Sequence, residues 1–330
     1  MTVDKQTPQW LTVDEGWGRR AIDFASLLEP AACREYVAMH HHLEVREGDR
    51  LLDIACGSGL AMELAAVRGA VVAGIDASPR LIAIARDRVP DADVRVGDMA
   101  ALPWDDHSFD VVTSFRGMWG TTREALAEAS RVLRPGGRIS VTSWGHLKVS
   151  PGAWTLAPFV LAPEEKVDAQ ARMVSIGRPG AGEELLAEAG FVGARRHAVP
   201  FAWEFPDPET YARMLASTGP AYEAIQAVGE EEFHRYCVEL ATQRVREGLP
   251  LRAEIDCVGF TAQVPEATAE RSLLGAPTAT RDGERGAQAL GEPDSTRHHN
   301  VIGNAGPRIQ EAATLWLSSS PRELAGFIWV

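Results

Sequence analysis

Between residues 50 and 145, short apolar runs alternate with longer segments in which apolar residues recur every three or four positions. The apolar runs are LLDIA (51–55), AVVAGID (70–76), DVRVGD (93–98), FDVVTSF (109–115) and RISVTSW (138–144). Helical periodicity fills most of the intervals, and one helix begins with Ser78 as its N-cap and Pro79 in its first turn. Strands that alternate with helices at this spacing predict an α/β fold, a mostly parallel sheet with helices on both faces.

The rest of the chain interrupts this alternation twice. Residues 145–180 contain four prolines and show weak periodicity, and residues 207–248 hold two or three helices. The strand-like segments 191–205 and 251–264 supply the last two strands, so neither interruption is needed to complete the sheet. We therefore expect two helical cap insertions that cover a substrate site.

These patterns predict one domain over residues 1–264, with its core at 48–145. Residues 265–330 are rich in Gly, Pro, Thr and charged residues, and they read as a linker-like C-terminal extension of uncertain fold. The end of that extension resembles the opening of an alkylhydroperoxidase-like domain.

The overall charge of the chain limits the classes of binding partner that we expect. The chain has 33 Lys and Arg against 46 Asp and Glu, a net charge of -13. Such an excess of negative charge repels polyanions, so we expect neither nucleic acid nor an anionic membrane surface as a partner. The four cysteines lack C-x-x-C spacing and no run approaches the ~20 apolar residues of a membrane span. A cytoplasmic location is expected by default.

The glycine turn after the first strand indicates which ligand the sheet holds. NAD-binding folds carry G-x-G-x-x-G/A there, but this chain reads G-S-G-L-A-M from Gly57, with Met62 at the third small position. Asp53 lies just ahead of the turn, where its charge would oppose a diphosphate at a cost on the order of a few kcal/mol. The same charge would instead attract a ligand with cationic groups and no phosphates, such as S-adenosylmethionine.

Two further acids stand at strand ends. Asp76 closes the second strand and is placed to accept both ribose hydroxyls, a feature that would suit NAD equally well. Asp98 closes the third strand and can accept from the adenine amino group. Met99 beside it offers a backbone N–H and an apolar wall.

Four motifs in register carry a resemblance to class I S-adenosylmethionine-dependent methyltransferases, in particular the ubiquinone/menaquinone methyltransferase-like branch. They are LLDIACGSG, GIDASPRLI, VGDMAALPWDDHSFDVVTS and EASRVLRPGGRISV. The resemblance implies a Rossmann-like seven-stranded sheet of order 3-2-1-4-5-7-6 with the last strand antiparallel. It implies cofactor contacts at Trp17, Asp53, Ala55, Gly57, Ser58, Gly59, Asp76, Ala77, Asp98, Met99, Ser114 and Phe115.

The acceptor side offers weaker signals. His146 follows the fifth strand, on the ligand-binding side of such sheets, and is the candidate general base; otherwise it is a rim histidine bonded to backbone. Arg116 could bind an anionic substrate group or pair with a surface acid. Trp119 and Tyr222 are further substrate candidates. The His40–His42 triplet predicts no metal site, because adjacent helical residues point in different directions.

The leading hypothesis is methyl transfer from S-adenosylmethionine to an O, N or acidic C atom of a small apolar or aromatic metabolite. The alternatives are an NAD(P)-dependent Rossmann oxidoreductase and a non-catalytic S-adenosylmethionine-binding protein. The acceptor itself cannot be read from the sequence, and a homodimer stays open.

Overall fold

A twisted seven-stranded sheet forms the centre of the computed structural model, which describes residues 9–118, 122–166 and 175–266. Its strands are β1 (Arg50–Ile54), β2 (Val71–Asp76), β3 (Asp93–Val96), β4 (Phe109–Phe115), β5 (Leu133–Trp144), β6 (Val192–Val199) and β9 (Cys257–Gln263). The spatial order is β3-β2-β1-β4-β5-β9-β6, and β9 runs antiparallel to both of its neighbours. Because β9 is the seventh strand of this sheet in chain order, the predicted order 3-2-1-4-5-7-6 and the antiparallel last strand are confirmed.

Eight helices accompany the strands in the described ranges. They are α1 (Cys33–His42), α2 (Leu60–Val67), α3 (Pro79–Arg88), α4 (Thr122–Val132), α5 (Ala181–Glu188), α6 (Pro208–Ala216), α7 (Gly219–Val228) and α8 (Glu230–Arg246). Both faces of the sheet are covered, as predicted. Leu51 of β1 packs in one core with Ile82 of α3, while the next residue, Leu52, packs in another with Leu126 of α4. This alternation follows from the two-residue period of a strand.

Two predicted strands are each divided. The segment 191–205 forms β6 and then β7 (Ala202–Glu204), and the segment 251–264 forms β8 (Arg252–Glu254) and then β9. β7 pairs with β8 as a separate two-stranded sheet. Pro200 stands at the first division, and since proline has no backbone N–H it cannot continue the ladder of hydrogen bonds.

The insertions form one helical layer over one end of the sheet. The first contains a 3₁₀ segment, Ala153–Leu161, and the second contains α6, α7 and α8. The buried Tyr211 hydroxyl of α6 donates to the Thr155 carbonyl at 2.9 Å, which joins the two insertions. Trp144 and Trp203 share a hydrophobic core with these helices.

Short helical turns precede α1. They run through Gln9–Thr12, Asp14–Gly18, Ala21–Asp23, Phe24–Leu28 and Glu29–Ala32. No helix in the described ranges is both long and apolar enough to cross a membrane. Trp119 and all of the extension from residue 267 lie outside the described residues, as does the stretch that resembles an alkylhydroperoxidase-like domain.

Candidate functional site

A cavity of about 400 Å³ opens at the carboxyl ends of β1, β2 and β4. Ligands of open α/β sheets bind at this edge, where the strand order reverses. The cavity is lined by ten residues that the sequence singled out: Trp17, Asp53, Ala55, Gly57, Asp76, Ala77, Asp98, Met99, Phe115 and Arg116. The fold thus brings most of the predicted contacts into one space.

Asp53 lies at the end of β1, buried beneath the glycine turn. Burial raises the pKa of its carboxyl to about 8, and the nearby Glu29, Asp76 and Glu35 carboxylates act in the same direction. The Thr113 hydroxyl donates to Asp53 at 2.6 Å and partly opposes this rise. A carboxyl of this kind favours a cationic ligand, because a positive charge nearby stabilises its ionised form.

Asp76 has a second role that the sequence did not indicate. One of its oxygens accepts the Gly57 N–H at 2.9 Å, and the other accepts the Ser78 N–H at 2.8 Å. The side chain therefore holds the glycine turn against the start of α3. Each carboxylate oxygen has a second lone pair, so both remain able to accept a ligand hydroxyl. Burial raises the pKa of this carboxyl, while these two bonds lower it.

Glu29 places a third carboxylate at the N-terminus of α2. It accepts from the Leu60 N–H at 3.4 Å and from the Ser58 hydroxyl, and it pairs with Arg88. In dinucleotide-binding folds the first helix N-terminus of the sheet receives the pyrophosphate. Here a buried carboxylate occupies that position, which would repel a diphosphate. This arrangement agrees with the electrostatic argument made from Asp53.

Two residues at the cavity have left-handed backbone conformations without being glycine. Ala55 has φ +58° and Arg116 has φ +56°, at the ends of β1 and β4. Such conformations are uncommon for non-glycine residues and are held by the surrounding structure, often at functional sites. Gly117 allows the two turns to approach, since a Cβ there would lie 2.3 Å from the Ala55 Cβ.

Three predicted cofactor contacts do not line the cavity. The Ser58 hydroxyl is buried and donates to Glu29. Gly59 has φ +87° at the N-cap of α2 and packs closely on Ala85. The Ser114 hydroxyl is buried without a hydrogen-bond partner in the described structure. Ser58 and Gly59 shape the turn, and their direct contact with a cofactor stays a prediction, as does that of Ser114.

The segment that carries Trp17 is tied to two different parts of the molecule. Asp14 accepts from Ser78, and from the Arg80 Nε at 2.7 Å, at the start of α3. Arg19 donates to the Ala216 carbonyl at 3.1 Å, in the second insertion. Trp17 lines the cavity between these anchors, where its ring meets the edge of Phe24. The segment therefore forms one side of the cavity.

The far end of the cavity is aromatic and carries a buried ion pair. The Arg116 Nε donates to both Glu35 oxygens at 3.2 and 3.0 Å, and its guanidinium lies 4.8 Å from the ring centres of Trp144 and Phe201. Burial lowers the pKa of Arg116, but the Glu35 carboxylate together with Tyr36 and Cys257 more than offsets this and holds the pKa above its ordinary value. Tyr36 and Phe115, in edge contact at 4.6 Å, complete this wall.

Comparison with known proteins agrees with this geometry. Residues 52–141 match the family described as Methyltransferase domain. The ubiquinone/menaquinone biosynthesis C-methyltransferase UbiE of Dinoroseobacter shibae is 34% identical over 196 residues, which cover 55% of this chain and 70% of that protein. The chain belongs to the class I S-adenosylmethionine-dependent methyltransferase family. The cofactor of this family member is S-adenosylmethionine, and the buried carboxylates around the glycine turn fit its cationic groups.

Other relatives match over shorter stretches. The demethylmenaquinone methyltransferase of Renibacterium salmoninarum is 39% identical over 106 residues, covering 32% of this chain and 45% of that protein. The chain spans about half the length of this and other curated relatives that it matches. Among solved structures, the [4+2]-cyclase SpnF superposes with a TM-score of 0.54 at 20% identity, over 79% of this chain and 98% of that one. That likeness concerns the fold.

The remaining acceptor-side candidates lie elsewhere in this family member. The His146 side chain is exposed and not among the residues that line the cavity, while its backbone N–H donates to Asp256. The Tyr222 hydroxyl donates to Glu15 at 3.0 Å, also outside the lining residues. Trp119 lies outside the described residues. Arg116 alone of these candidates reaches the cavity.

Several residues of the site were not singled out from the sequence, among them Glu29, Glu35, Tyr36 and Trp203. Glu29 and Glu35 come from the helical segment before β1, where nothing distinguishes them from surface glutamates of an amphipathic helix. Trp203 lies on β7, at the aromatic wall. The His40–His42 side chains diverge, since His40 is buried beside Phe115 and His42 stacks on His197 at the surface.

Proposed function

We propose that this protein transfers a methyl group from S-adenosylmethionine to an O, N or acidic C atom of a small apolar or aromatic metabolite. The observation that carries the proposal is the division of the cavity. Its carboxylates gather around the glycine turn, while the opposite wall is built from aromatic rings, among them Tyr36, Phe115 and Trp144. One end suits a cationic cofactor, and the other suits a flat acceptor.

The bound cofactor supplies a methyl carbon already activated by its sulfonium. The protein therefore needs proximity and alignment more than acid–base catalysis. Asp53 and Asp76 hold cationic and hydroxyl groups at the strand ends, and Trp17 with its segment excludes water. The aromatic wall orients the acceptor by contact with its flat face. His146 is exposed and is not among the lining residues, so its predicted role as a general base stays a prediction without support from this geometry.

A Rossmann oxidoreductase is disfavoured by the carboxylate of Glu29 at the N-terminus of α2. Met62, which occupies a position where NAD-binding folds have a small residue, is accommodated by Gly74. A Cβ on Gly74 would lie 2.5 Å from the Met62 sulfur. The strand thus makes room for the larger side chain. A non-catalytic S-adenosylmethionine-binding protein stays open, since a fold hosts more than one function and a structure of similar fold is named a cyclase.

Two measurements test the proposal. Calorimetry should show binding of S-adenosylmethionine and none of NAD; the reverse result would refute the cofactor assignment. Chromatography should then show S-adenosylhomocysteine formation with at least one acceptor from a panel of phenols, amines and acidic carbon compounds. Tight cofactor binding without turnover on any acceptor would favour the non-catalytic alternative. Asp93→Ala removes an exposed carboxylate outside the cavity, so this variant should give the same result as the unchanged protein in both measurements.

Cell location and assembly are also proposals. The four cysteines are free, in keeping with a reducing compartment such as the cytoplasm. We propose a small-molecule acceptor and no nucleic-acid partner, given the net charge of -13. Light scattering on the full chain would decide between a monomer and a homodimer.

A further inference from the structure

The charges that line the cavity are unequally placed. Four carboxylates line it: Glu29 and Asp76 accept from backbone N–H groups in or beside the glycine turn, and Asp53 and Asp98 lie at the ends of β1 and β3. Within the described residues, Arg116 is the one cationic side chain that lines the cavity. A guanidinium opposite a cluster of carboxylates gives the cavity two ends of different electrostatic character, which is the arrangement expected for two ligands of different charge.

The Arg116 guanidinium is only partly used by the protein. Its Nε donates to the Glu35 carboxylate, and its backbone N–H donates to the Thr142 hydroxyl at 3.0 Å. Its two terminal nitrogens have no hydrogen-bond partner among the described residues, although each carries two N–H donors. Those donors form the planar fork that binds a carboxylate or similar oxygen group in a bidentate manner.

The position of this fork is fixed from several sides. Glu35 is fully buried and also accepts from the Thr142 hydroxyl, so it cannot turn away from Arg116. The guanidinium packs on both Trp144 and Phe201, 4.8 Å from each ring centre. The positive φ of Arg116 sets the direction from which its side chain leaves β4. A guanidinium held this firmly loses little freedom when it binds a ligand.

Unsatisfied donors occur on the same wall. The indole N–H groups of Trp144 and Trp203 are buried and have no acceptor in the part of the chain that the structure describes. Both tryptophans line the cavity. Buried donors without acceptors cost free energy, so a wall that has them together with an arginine fork is rich in donors and poor in acceptors.

Among the described residues, none at the Arg116 end of the cavity is an evident base for the acceptor. Glu35 is engaged by Arg116 and Thr142, and burial raises the pKa of the Tyr36 hydroxyl well above its ordinary value. His40 is buried beside Phe115 and does not itself line the cavity, and burial lowers its pKa to about 4. An acceptor whose oxygen is already ionised in water needs no proton removed here.

We infer that the Arg116 fork, positioned by Glu35, is an anion-binding subsite that selects flat aromatic acceptors bearing an ionised oxygen group, such as a carboxylate or an acidic enol. The inference rests on the proposed function, since it names the acceptor class of the same cavity. Arg116 contacts the acceptor, and Glu35 is a positioning residue.

The test measures binding rather than turnover. Full-length protein saturated with S-adenosylhomocysteine is titrated with benzoate and 2-naphthoate, and with benzamide and 2-naphthamide as uncharged partners of the same shape. A charge-assisted pair of hydrogen bonds predicts that 2-naphthoate binds about 10- to 100-fold more tightly than 2-naphthamide. Tryptophan fluorescence and calorimetry both report the binding constants.

Two variants locate the preference. Arg116→Gln alone leaves Glu35 buried without its partner and can fail to fold, so the main variant is E35Q/R116Q, which removes both charges together. It should lose the preference for carboxylate over amide while its affinity for S-adenosylhomocysteine stays within about threefold of the original. Glu35→Gln alone should keep part of the preference, because the fork remains but is less firmly oriented.

Arg95→Met is the matched control. Arg95 also pairs with a carboxylate, Asp93, and lies 4.6 Å from the Trp104 ring centre, but it does not line the cavity. This variant should keep the full preference for 2-naphthoate.

The inference is overturned if wild-type protein binds the amides as tightly as the carboxylates, or binds no carboxylate of the panel. It is equally overturned if E35Q/R116Q retains the preference. Failure of the proposed function would show differently, as absence of S-adenosylmethionine binding or of methyl transfer to every acceptor. The naphthoate preference is measured without either of those readouts.

Discussion

The two ends of the cavity each contain a buried glutamate that accepts from a hydroxyl and pairs with an arginine. At the cofactor end Glu29 is joined to Ser58 and Arg88, and at the far end Glu35 is joined to Thr142 and Arg116. Both glutamates come from the segment just ahead of β1. The chemistry of the two clusters is nearly the same, but their surroundings are different.

The arginines explain the difference. Arg88 bonds Glu29, the Ser58 carbonyl at 3.0 Å and Glu63, and it does not line the cavity. Arg116 donates from its Nε to Glu35, and the rest of its guanidinium lies at the cavity wall. Two buried Glu–Arg pairs of the same composition can therefore have different roles. Where the arginine does not line the cavity the pair fixes the turn, and where it lines the cavity the pair can serve a ligand.

The largest effect should come from Glu29→Ala. Removing one partner of a buried ion pair leaves Arg88 uncompensated, at a cost of about 3–5 kcal/mol in the free energy of unfolding. Urea denaturation measures this loss. The double variant E29L/R88M should recover most of it, and Glu232→Ala, which breaks an exposed pair with Arg235, should cost less than about 1 kcal/mol. A loss from Glu29→Ala as small as that of the surface variant would contradict a structural role.

Asp76→Ala should act on the cofactor rather than on the acceptor. The substitution removes two backbone hydrogen bonds from the glycine turn together with the predicted ribose contact. We expect the Kd for S-adenosylmethionine to rise about 100-fold, as calorimetry would report. Asp76→Asn, which keeps one acceptor oxygen, should lose less. Unchanged affinity in Asp76→Ala would show that the ribose assignment is wrong.

Asp53→Asn removes the charge of this side chain at the cofactor end and keeps its shape. The native carboxyl has a pKa of about 8, far above its unfolded value, so the folded protein retains a proton that the unfolded chain releases. Its contribution to stability therefore declines as pH rises from about 4 to about 8. The amide variant should unfold a few degrees higher than wild type at pH 8 in thermal denaturation.

The same carboxyl predicts how cofactor binding depends on pH. A cationic ligand favours ionised Asp53, so wild-type affinity for S-adenosylmethionine should rise about tenfold or more between pH 6 and pH 8, with release of a proton. Calorimetry in buffers of different ionisation enthalpy counts that proton. Asp53→Asn should bind about tenfold more weakly at pH 8 and show a flatter profile. A wild-type profile that is already flat would argue against a charged contact.

Tyr222→Phe should have the smallest effect. It removes one half-exposed hydrogen bond to Glu15, so unfolding free energy should fall by less than about 1 kcal/mol. Cofactor affinity, and kcat/KM for any acceptor that is methylated, should change by less than about threefold. A tenfold decrease in kcat/KM alone would restore Tyr222 as a substrate contact.

The cofactor end could be predicted because its groups follow from strand order. Asp53, Asp76 and Asp98 each stand where a strand ends, and the carboxyl ends of neighbouring parallel strands meet at one edge. The order of the sheet was implied instead by the resemblance of the four motifs to a known family, and the structure has that order. The division of the last strands into β7 and β8 was not, although Pro200 marks one break.

The acceptor end could not be predicted because its contacts join distant parts of the chain. Glu35 meets Arg116, 81 residues later, and Thr142, 107 residues later. His146 lies two residues beyond the end of β5, as Asp98 lies two residues beyond the end of β3, yet His146 faces solvent. A residue that follows a strand lies at the correct edge of the sheet. Whether its side chain reaches the cavity depends on how the insertions pack.

The anchored N-terminal segment has a consequence for kinetics. Trp17 lines the cavity while Asp14 is bonded to α3 and Arg19 to the second insertion, and we expect one set of these contacts to open before spent cofactor leaves. Departure of S-adenosylhomocysteine, rather than bond making, would then limit steady-state turnover. Added salt, which weakens the Asp14–Arg80 pair, should hasten that departure.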